Sequence, residues 1–343
     1  MDPDNYPGSN YGSRMTEQEF LKRWEQEKPV YQAWADFIKY TIEQALKTSI
    51  APTQLDYFLK VPVKPRLKLD STLVDKAFYR KQYANPYDDV TDKVGMRFVV
   101  LLTSDIKKVC QIIEAPENKL FWDASKDRDY EAERLEKPLE FSYQSVHFVL
   151  RATKGNKFSG IEILENTSCE VQIRTLLQHA HSELTHDTLY KPKTVAQPGV
   201  KRTVAKSMAL IEATDEFFEQ AMQDIAKAIK PQNDILDLLK DRYQANIHQN
   251  VGEEPSNQLL VDTYFELLPE NPIADISAFL DKVGYIYPKI KQYREIRHIF
   301  SQPAILLIYY LASHSPARTV EMWPLDRDDL NLVFSDLGIK LPD

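Results

Sequence analysis

Cysteine is scarce in this chain, and Cys110 and Cys169 are the only two among 343 residues. Cys110 falls on the apolar face of a predicted helix, and Cys169 falls on the inward face of a predicted strand. A disulfide framework and a cysteine-based metal site are therefore not favoured, and both residues are predicted to be reduced core residues. Reduced cysteines indicate a cytoplasmic protein.

Long apolar runs are also missing. The longest one extends from Pro303 to Ala312, which is far shorter than a membrane span. Residues 1–14 are polar and rich in Asn, Ser, Gly and Tyr, so they predict a disordered arm and show no signal-peptide pattern. We therefore expect no membrane partner.

Positive charge is in deficit, with 43 Lys and Arg against 51 Asp and Glu and a formal net charge of −8. This balance disfavours binding of nucleic acid over the whole surface, but it allows a local basic patch. With 43% apolar residues, the chain can bury a sizeable core, and its length predicts about two domains.

Helical signals mark the beginning of the chain. Thr16 and Glu19 form a capping box, which predicts a helix that ends at Pro29. Apolar residues then repeat at three and four positions, which predicts a second helix to about Lys47. We interpret both helices as scaffold.

The C-terminal part shows only helical periods. A long amphipathic helix over 200–230 is predicted to end at Pro231, and another helix runs to about Ile247. The remaining chain has helical patterns without a catalytic constellation. The sequence thus predicts a main domain over 15–245 and a helical domain over 246–343.

The stretch 168–175 has two opposite faces. In a strand, successive side chains point to opposite faces. The odd-numbered residues of this stretch are mostly apolar, whereas the even-numbered residues after Ser168 carry a carboxylate, an amide and a guanidinium. This alternation predicts a strand with an apolar back and a polar front. The polar front consists of Glu170, Gln172 and Arg174.

A second stretch places Asp92 just before an apolar block at 98–102, with Gly95 and Arg97 between them. The block predicts a buried strand with Asp92 at its head, and Gly95 lets the backbone approach a ligand. A carboxylate at this place and Glu170 on the open face of another strand suit a magnesium site for phosphate chemistry.

Four cations precede this strand, and they are Arg66, Lys68, Lys76 and Arg80. The first two alternate with leucines and leave one face, whereas the last two lie four residues apart on a predicted helix that Asp70 or Ser71 can cap. Such a cluster at a helix N-terminus suits a triphosphate, although a solvated basic surface has the same pattern. Next to the two carboxylates, phosphate binding is the favoured interpretation.

The stretch 141–150 predicts a third strand. Ser145 and His147 face outward with Tyr143, opposite an apolar inward face. A tyrosine ring can stack on a base, and a hydroxyl and an imidazole can hold phosphates or base edges. The charged segment 114–140 before it predicts a long loop, with or without a helix inside it, of the kind that often forms a lid.

A helix is predicted from Thr175 to about Tyr190. Its apolar stripe contains Leu177, Ala180 and Leu184. Its polar stripe invites a zinc site, but the His-Glu-x-x-His pattern and a third ligand are missing, so the wall of a polar cleft is favoured. The polar stripe consists of His179, Glu183, His186 and Tyr190.

Five ordered pieces resemble the synthetase domain of the RelA/SpoT family, whose alarmone synthetases move pyrophosphate from ATP to the 3′-hydroxyl of GDP or GTP. The resemblance covers about a third of the chain. It implies an α+β fold, in which a mixed β-sheet nucleotidyltransferase-like synthetase domain is flanked by helices and followed by an all-helical domain. The pieces are Arg66-x-Lys68 with the basic helix, Asp92-x-x-Gly95-x-Arg97, Tyr143-Gln144-Ser145-Val146-His147, Glu170-Val171-Gln172-Ile173-Arg174-Thr175, and His186 before Tyr190-Lys191.

The resemblance also implies roles. Asp92 and Glu170 would be the catalytic residues and would bind Mg²⁺, and Glu170 would complete the metal site or draw the proton from the attacking hydroxyl. ATP would be held by Arg66, Lys68, Ser71, Lys76 and Arg80. The acceptor, GDP or GTP, would stack on Tyr143 and contact Ser145, His147, Gln172 and Arg174.

Two other functions stay open. Some small relatives are toxins that make adenosine alarmones or put pyrophosphate on the tRNA 3′ end, restrained by an antitoxin that can be fused to them. The region after residue 245 suits such a restraint, and it equally suits a protein regulator or a homo-oligomer interface. A non-catalytic nucleotide-binding regulator is less favoured, because both carboxylates are present. Ser142 stands where the family often has Gly, which allows a differently shaped acceptor pocket.

Overall fold

The computed structural model describes residues 15–141, 145–188, 197–247 and 255–342. The chain divides into two compact units, Met1–Ala221 and Met222–Asp343, and the division falls inside one long helix. Among the described residues, no helix combines the length and the apolarity needed to cross a bilayer. Cys110 and Cys169 are buried and free, as predicted.

The first unit contains a mixed five-stranded sheet with the strand order β1-β2-β7-β4-β3. β2 and β7 run parallel, whereas the other neighbouring pairs are antiparallel. A separate two-stranded hairpin is formed by β5 and β6. The strands are β1 (Arg66–Leu67), β2 (Val94–Val100), β3 (Trp122–Arg128), β4 (Val146–Ala152), β5 (Lys157–Phe158), β6 (Ile161–Glu162) and β7 (Ser168–Thr175).

The back of the sheet is the core of the first unit. Helices α1 (Glu17–Ser49) and α4 (Thr103–Ile113) pack there against the inward side chains of the central strands. Phe98, Phe148 and Val171 are at most 1% exposed, and burial of each such side chain contributes about 1.5–3 kcal/mol. The predicted alternation of β7 is confirmed, because its odd positions are buried on this side.

The prediction that Pro29 ends the first helix is wrong, since α1 continues through it to Ser49. A proline inside a helix removes one backbone hydrogen bond and crowds the preceding turn. The apolar stripe continues on both sides of it, with Phe20 and Trp24 before it and Trp34 after it, all fully buried. Packing of this stripe therefore outweighs the local cost. The predicted capping box is confirmed at Thr16.

Pro231 likewise lies inside a helix, so the prediction that it ends one is wrong. Helix α7 extends over Pro198–Ile247. Met208 before Pro231 and Ile235 and Leu239 after it are fully buried, and the last two belong to the core of the second unit. Pro231 itself is exposed, so water can satisfy the carbonyl that loses its partner there.

The charged segment 114–140 contains helix α5 (Tyr130–Glu136), which the sequence allows, but it also contains strand β3, so the prediction of a long loop is wrong there. β3 is one of the two edge strands of the sheet, and only Trp122 is buried in it. Edge strands often carry charged and polar side chains on both faces. The period-two signal on which strand prediction depends is therefore missing here.

Helix α6 (Leu176–Thr188) buries a polar face, which reverses the prediction. Ala180 and Leu184 of the predicted apolar stripe are exposed. The buried side chains satisfy polar groups of neighbouring elements: the side chain of Gln178 accepts from the Thr175 amide at 3.1 Å. The buried polar residues of α6 are Gln178, His181, Ser182 and Thr185.

The second unit is helical throughout its described residues, as the sequence predicts. Its core centres on α11 (Ile305–His314), in which the run Ile305–Ala312 is buried. Tyr309 donates to Asp336 at 2.7 Å within this core. The other helices are α8 (Pro255–Tyr264), α9 (Pro272–Lys282), α10 (Ile286–Tyr293), α12 (Pro316–Glu321) and α13 (Arg327–Leu337); α2 (Leu55–Phe58) and α3 (Asp70–Val74) belong to the first unit.

Asp215 on α7 generates a prediction about pH. It is 2% exposed, and its Oδ2 accepts from the Thr175 hydroxyl at 2.8 Å. Burial raises the pKa of Asp215 to about 6, although the Thr175 hydrogen bond and the charge of Arg134 oppose the shift. Because the pKa is higher in the folded than in the unfolded chain, the stabilisation is present at low pH and is lost as the pH rises through about 6.

We expect Asp215→Asn to remove this loss of stability at higher pH. The free energy of unfolding of the wild type should fall by about 2 kcal/mol more than that of the variant between pH 4 and pH 7.5. Urea unfolding at both pH values measures the difference. Asp123→Asn, at an exposed position, is the control and should keep the wild-type slope. Equal slopes for wild type and Asp215→Asn would contradict the assignment.

Candidate active site

The two predicted carboxylates lie at the start of neighbouring parallel strands. Glu170 of β7 pairs with Gly95 of β2, and Asp92 lies in the turn that leads into β2. A Cβ atom on Gly95 would lie 3.1 Å from the Glu170 carbonyl oxygen and 3.6 Å from its Cβ. Glycine therefore permits the close approach that brings this part of β2 against Glu170.

Asp92 is held by two lysines. Its Oδ2 accepts from Lys76 at 2.7 Å and from Lys68, whereas its Oδ1 is buried and has no hydrogen-bond partner among the described residues. Burial favours the protonated acid, but the two ammonium groups outweigh it and hold the pKa of Asp92 below its ordinary value. Asp92 is thus an ionised carboxylate with one oxygen still unused.

The two lysines come from different elements. Lys68 follows β1, where its amide donates to the Lys93 carbonyl at 2.8 Å and so extends the pairing of β1 with β2. Lys76 lies on a π-helical turn, Asp75–Arg80, that continues α3. Single π-helical turns are rare in proteins, and those that occur are often found at functional sites.

The other predicted cations do not join Asp92. Arg66 is exposed on β1, opposite Gly95. Arg80 pairs with Asp75 at 2.5 Å, and both side chains are more than half exposed. Ser71 is exposed on α3. The structure therefore brings together two of the four cations, and the other two are exposed on β1 and on the π-helical turn.

The prediction that Asp70 or Ser71 caps α3 is wrong. Leu69 is the N-cap residue, and no side chain caps this end. Asp70 instead accepts from the Trp24 indole at 3.0 Å and from Lys28, both on α1. The carboxylate serves a long-range contact, which a local capping pattern cannot reveal.

Glu170 belongs to a chain of hydrogen bonds on the sheet's front. Its Oε1 lies 3.3 Å from His147 Nδ1, and its Oε2 accepts from the Gln172 amide at 2.9 Å. Gln172 in turn accepts from Arg174, and Ser145 Oγ lies 2.5 Å from His147 Nε2. Burial raises the pKa of Glu170, but the contacts with His147 and Gln172 more than compensate and lower it below the ordinary value.

Four of the five predicted acceptor residues therefore share one front. Arg174 and Ser145 are fully buried. The fifth residue, Tyr143, lies outside the described residues, and the side chain of His186 does as well. The roles of these residues stay predictions.

Two further contacts of this front escaped the sequence analysis. Arg97, opposite Gln172 in the register, pairs with Glu183 of α6 at 2.7 Å. Glu183 also lies 3.9 Å from His179. A pair between residues this far apart in sequence leaves no local signal.

Lys93 is a buried cation beside Asp92. It is 1% exposed, donates to the Val90 carbonyl at 2.7 Å, and lies 4.5 Å and 5.2 Å from the ring centres of Tyr87 and Tyr31. Burial lowers its pKa to about 8. This contact closes the turn that contains Asp92 and so fixes where that carboxylate stands. From the sequence alone, Lys93 would be interpreted as a solvent-exposed lysine.

The donor set suits a magnesium ion. No group of three or more His, Cys, Asp or Glu side chains that could hold a metal occurs in the part of the chain that the structure describes. Magnesium, however, is usually held by one or two carboxylates together with substrate phosphates and water. Asp92 offers an unpartnered oxygen for this purpose, and Glu170 supplies the second carboxylate.

Two ionised carboxylates beside a pair of lysines, at the start of parallel strands in a mixed sheet, are typical of sites that bind nucleotide phosphates. Residues 65–195 match the family model described as a region found in RelA / SpoT proteins. This matched part of the chain contains all the residues of the site.

Solved structures similar to this chain include small alarmone synthetase 1 from Bacillus subtilis bound to its product pppGpp, at 20% identity and a TM-score of 0.49, covering 60% of this chain and 98% of that one. Another is a GTP pyrophosphokinase family protein from Streptococcus pneumoniae, at 23% identity and a TM-score of 0.47, covering 62% of this chain and 97% of that one. The comparison with curated proteins found no match.

We expect Gly95→Ala to disturb this site without unfolding the protein. The added methyl group would press on the Glu170 backbone at 3.1 Å, so the carboxylate would shift by a few tenths of an ångström. With Glu170 in its predicted catalytic role, this misplacement should lower phosphate-transfer turnover by about tenfold or more. Gly199→Ala, where nothing lies within 4 Å of the new methyl group, should leave turnover unchanged. Wild-type turnover in Gly95→Ala would contradict the close approach.

Proposed function

We propose that this chain is an ATP-dependent pyrophosphokinase that transfers the β,γ-pyrophosphate of ATP to the 3′-hydroxyl of GDP or GTP and so makes (p)ppGpp. The observation that carries the proposal is the pair of carboxylates, Asp92 and Glu170, at the start of two neighbouring parallel strands with two lysines on Asp92. The RelA/SpoT region at 65–195 contains this pair and supports the same reaction.

The proposed donor site lies on the β1 side of Asp92. Lys68 and Lys76 contact this carboxylate in the free protein. Their ammonium groups can therefore turn to bind the β- and γ-phosphates of a nucleotide placed beside it. Arg66, Ser71 and Arg80 are exposed on the same elements, so they can contact the remaining phosphate and the adenosine. Charge-assisted hydrogen bonds of this kind are the strongest available to phosphate oxygens.

Mg²⁺ is the proposed cofactor, and Asp92 and Glu170 would hold it. Such an ion neutralises charge on the phosphates as the transfer proceeds. The rest of the chemistry falls to the protein's own groups. Lys68 and Lys76 stabilise the negative charge on the transferred and leaving phosphates, and the rigid turn closed by Lys93 keeps Asp92 in place.

The transfer exchanges one phosphorus–oxygen bond for another. The 3′-oxygen of the acceptor bonds to the β-phosphorus of ATP, the bond from that phosphorus to the α,β-bridging oxygen breaks, and AMP leaves. The hydroxyl proton passes to Glu170, which is ionised at neutral pH because its pKa lies below the ordinary value. His147 at 3.3 Å keeps the carboxylate oriented.

The acceptor nucleotide is proposed to lie on the front of β4 and β7. Tyr143 would stack on its base, and His147 and Gln172 would contact its sugar and phosphates. Ser145 and Arg174, which are fully buried, would hold these two side chains in place. The continuous hydrogen bonding from Ser145 to Arg174 supports this placement, because it pre-orients several polar groups along one line.

A product assay tests the proposal. Purified protein, magnesium and ATP labelled at the γ position are offered GDP, GTP, AMP, ADP and deacylated tRNA separately. We expect the label on GDP or GTP, and we expect Asp92→Asn or Glu170→Gln to reduce transfer about a thousandfold or more, because each removes a charge at the reacting phosphates.

Glu162→Gln is the matched control, since this carboxylate is exposed on β6 and lies outside the proposed site. It should transfer like the wild type, and thermal unfolding should show that all three variants are folded. Full activity of either site variant would remove that residue from the site. A wild type that binds ATP but labels no acceptor would favour a nucleotide-binding regulator.

A second candidate is pyrophosphorylation of the tRNA 3′ end or of an adenosine nucleotide. Lys201, Arg202 and Lys206 are all exposed near the beginning of α7, and they favour this candidate because a tRNA acceptor needs a basic surface. Label on tRNA in the same assay would establish this function.

The helical C-terminal part is proposed to regulate the synthetase or to join copies of the chain. The predicted domain boundary at 246 stays a prediction. Residues 221–231 of α7 are exposed, so the chain can be cut there without opening a core. Higher transfer by the fragment 1–230 would indicate restraint. Unchanged transfer with a lower mass in sedimentation would indicate assembly.

Two free buried thiols suit the proposed cytoplasmic location.

A further inference from the structure

Asp92 is shielded in the free protein. Its side chain is 16% exposed, and the lysines that bind its Oδ2, Lys68 and Lys76, are 24% and 21% exposed. The other oxygen, Oδ1, is buried. A hydrated cation that comes from solvent therefore meets two ammonium groups before it meets the carboxylate.

The local charge also opposes such a cation. Two ammonium groups share one carboxylate, so the cluster around Asp92 has an excess of positive charge. Lys93 adds a third cation on the buried side of the same turn. Glu170 adds a second carboxylate whose charge acts on Lys68, so three lysines stand against two carboxylates around this turn. A divalent ion would enter against repulsion that is strong in a partly buried site.

A polyphosphate reverses this balance. Phosphate oxygens carry more negative charge than one carboxylate and form stronger hydrogen bonds with ammonium groups. Lysine side chains are long and flexible, so Lys68 and Lys76 can turn from Asp92 to a phosphate without movement of their backbones. Oδ2 of Asp92 would then be free to bind a metal ion that enters together with the polyphosphate.

We propose that Lys68 and Lys76 block Asp92 against a divalent cation until a nucleoside polyphosphate draws them away. The site then takes the cation and the polyphosphate together, as one metal–nucleotide complex, and does not hold the cation alone. This inference rests on the proposed function for the identity of the polyphosphate, but the block by the two lysines is a property of the free protein.

Binding of Mn²⁺ to the full chain tests the proposal, measured by loss of the paramagnetic resonance signal of the free ion. We expect Lys76→Met to bind Mn²⁺ about tenfold tighter than the wild type when no nucleotide is present, because one repelling charge is gone. Lys68→Met should behave alike. Lys81→Met removes the same charge from an exposed position next to the π-helical turn and should bind like the wild type.

A second arm adds α,β-methylene ATP, which cannot undergo the transfer, and counts only the Mn²⁺ retained by the protein. The wild type should then bind Mn²⁺ at least about tenfold tighter than without the analogue. Adding Asp92→Asn to Lys76→Met should abolish the gain of the lysine variant, which places the ion at Asp92. Thermal unfolding verifies that each variant is folded.

The two arms separate two failures. If wild type, Lys76→Met and Lys68→Met bind Mn²⁺ equally without nucleotide, the block by lysines is overturned. If the lysine variants gain Mn²⁺ but the analogue changes nothing in the wild type, the block stands and the proposed nucleotide function fails. A loss of folding cannot mimic a gain of binding, so a destabilised variant does not produce the expected result.

Discussion

The parallel pairing of β2 with β7 is the constraint on which the site depends. It sets Gly95 beside Glu170 and Arg97 beside Gln172, and the antiparallel pairing with β4 adds His147 to the same row. A slip of one residue would turn the polar front of β7 into the core. The fully buried back of the sheet, with Phe98 and Ile173, makes that slip costly. The same packing that stabilises the fold therefore fixes the positions of the reactive groups.

Charge pairing is the second constraint, because an ionised group in a partly buried place needs a partner. In the free protein the functional groups serve as partners for one another: Lys76 for Asp92, and His147 for Glu170. These contacts hold the side chains in place before a substrate arrives. Contacts with the substrate must also replace these internal pairs when the substrate binds. The stronger an internal pair is, the more of the substrate's binding energy is needed to break it.

The sequence predicts features whose signal is local and periodic. The two faces of β7, the buried strand after Asp92 and the capping box at Thr16 are of this kind. Features decided by distant packing were not predictable. Helices continue through Pro29 and Pro231 because buried apolar residues lie on both sides of each proline. Helix α6 buries polar side chains because it packs against polar groups. Strand β3 lies at an edge of the sheet and shows no apolar–polar alternation. At the site, the carboxylates were recognisable from their strands, whereas Lys93 and the pair of Arg97 with Glu183 depend on residues remote in the chain.

The low pKa of Glu170 bears on how the proposed transfer proceeds. A general base is most effective when its pKa lies near the working pH, and His147 and Gln172 hold Glu170 below even its ordinary value. Such a carboxylate would be a poor base for a mechanism that needs an alkoxide before attack. Phosphoryl transfer commonly passes through a loose transition state, in which bonding to the nucleophile is weak and its proton is lost late. For that mechanism an ionised, oriented carboxylate is sufficient, and the contacts that lower its pKa are the ones that orient it.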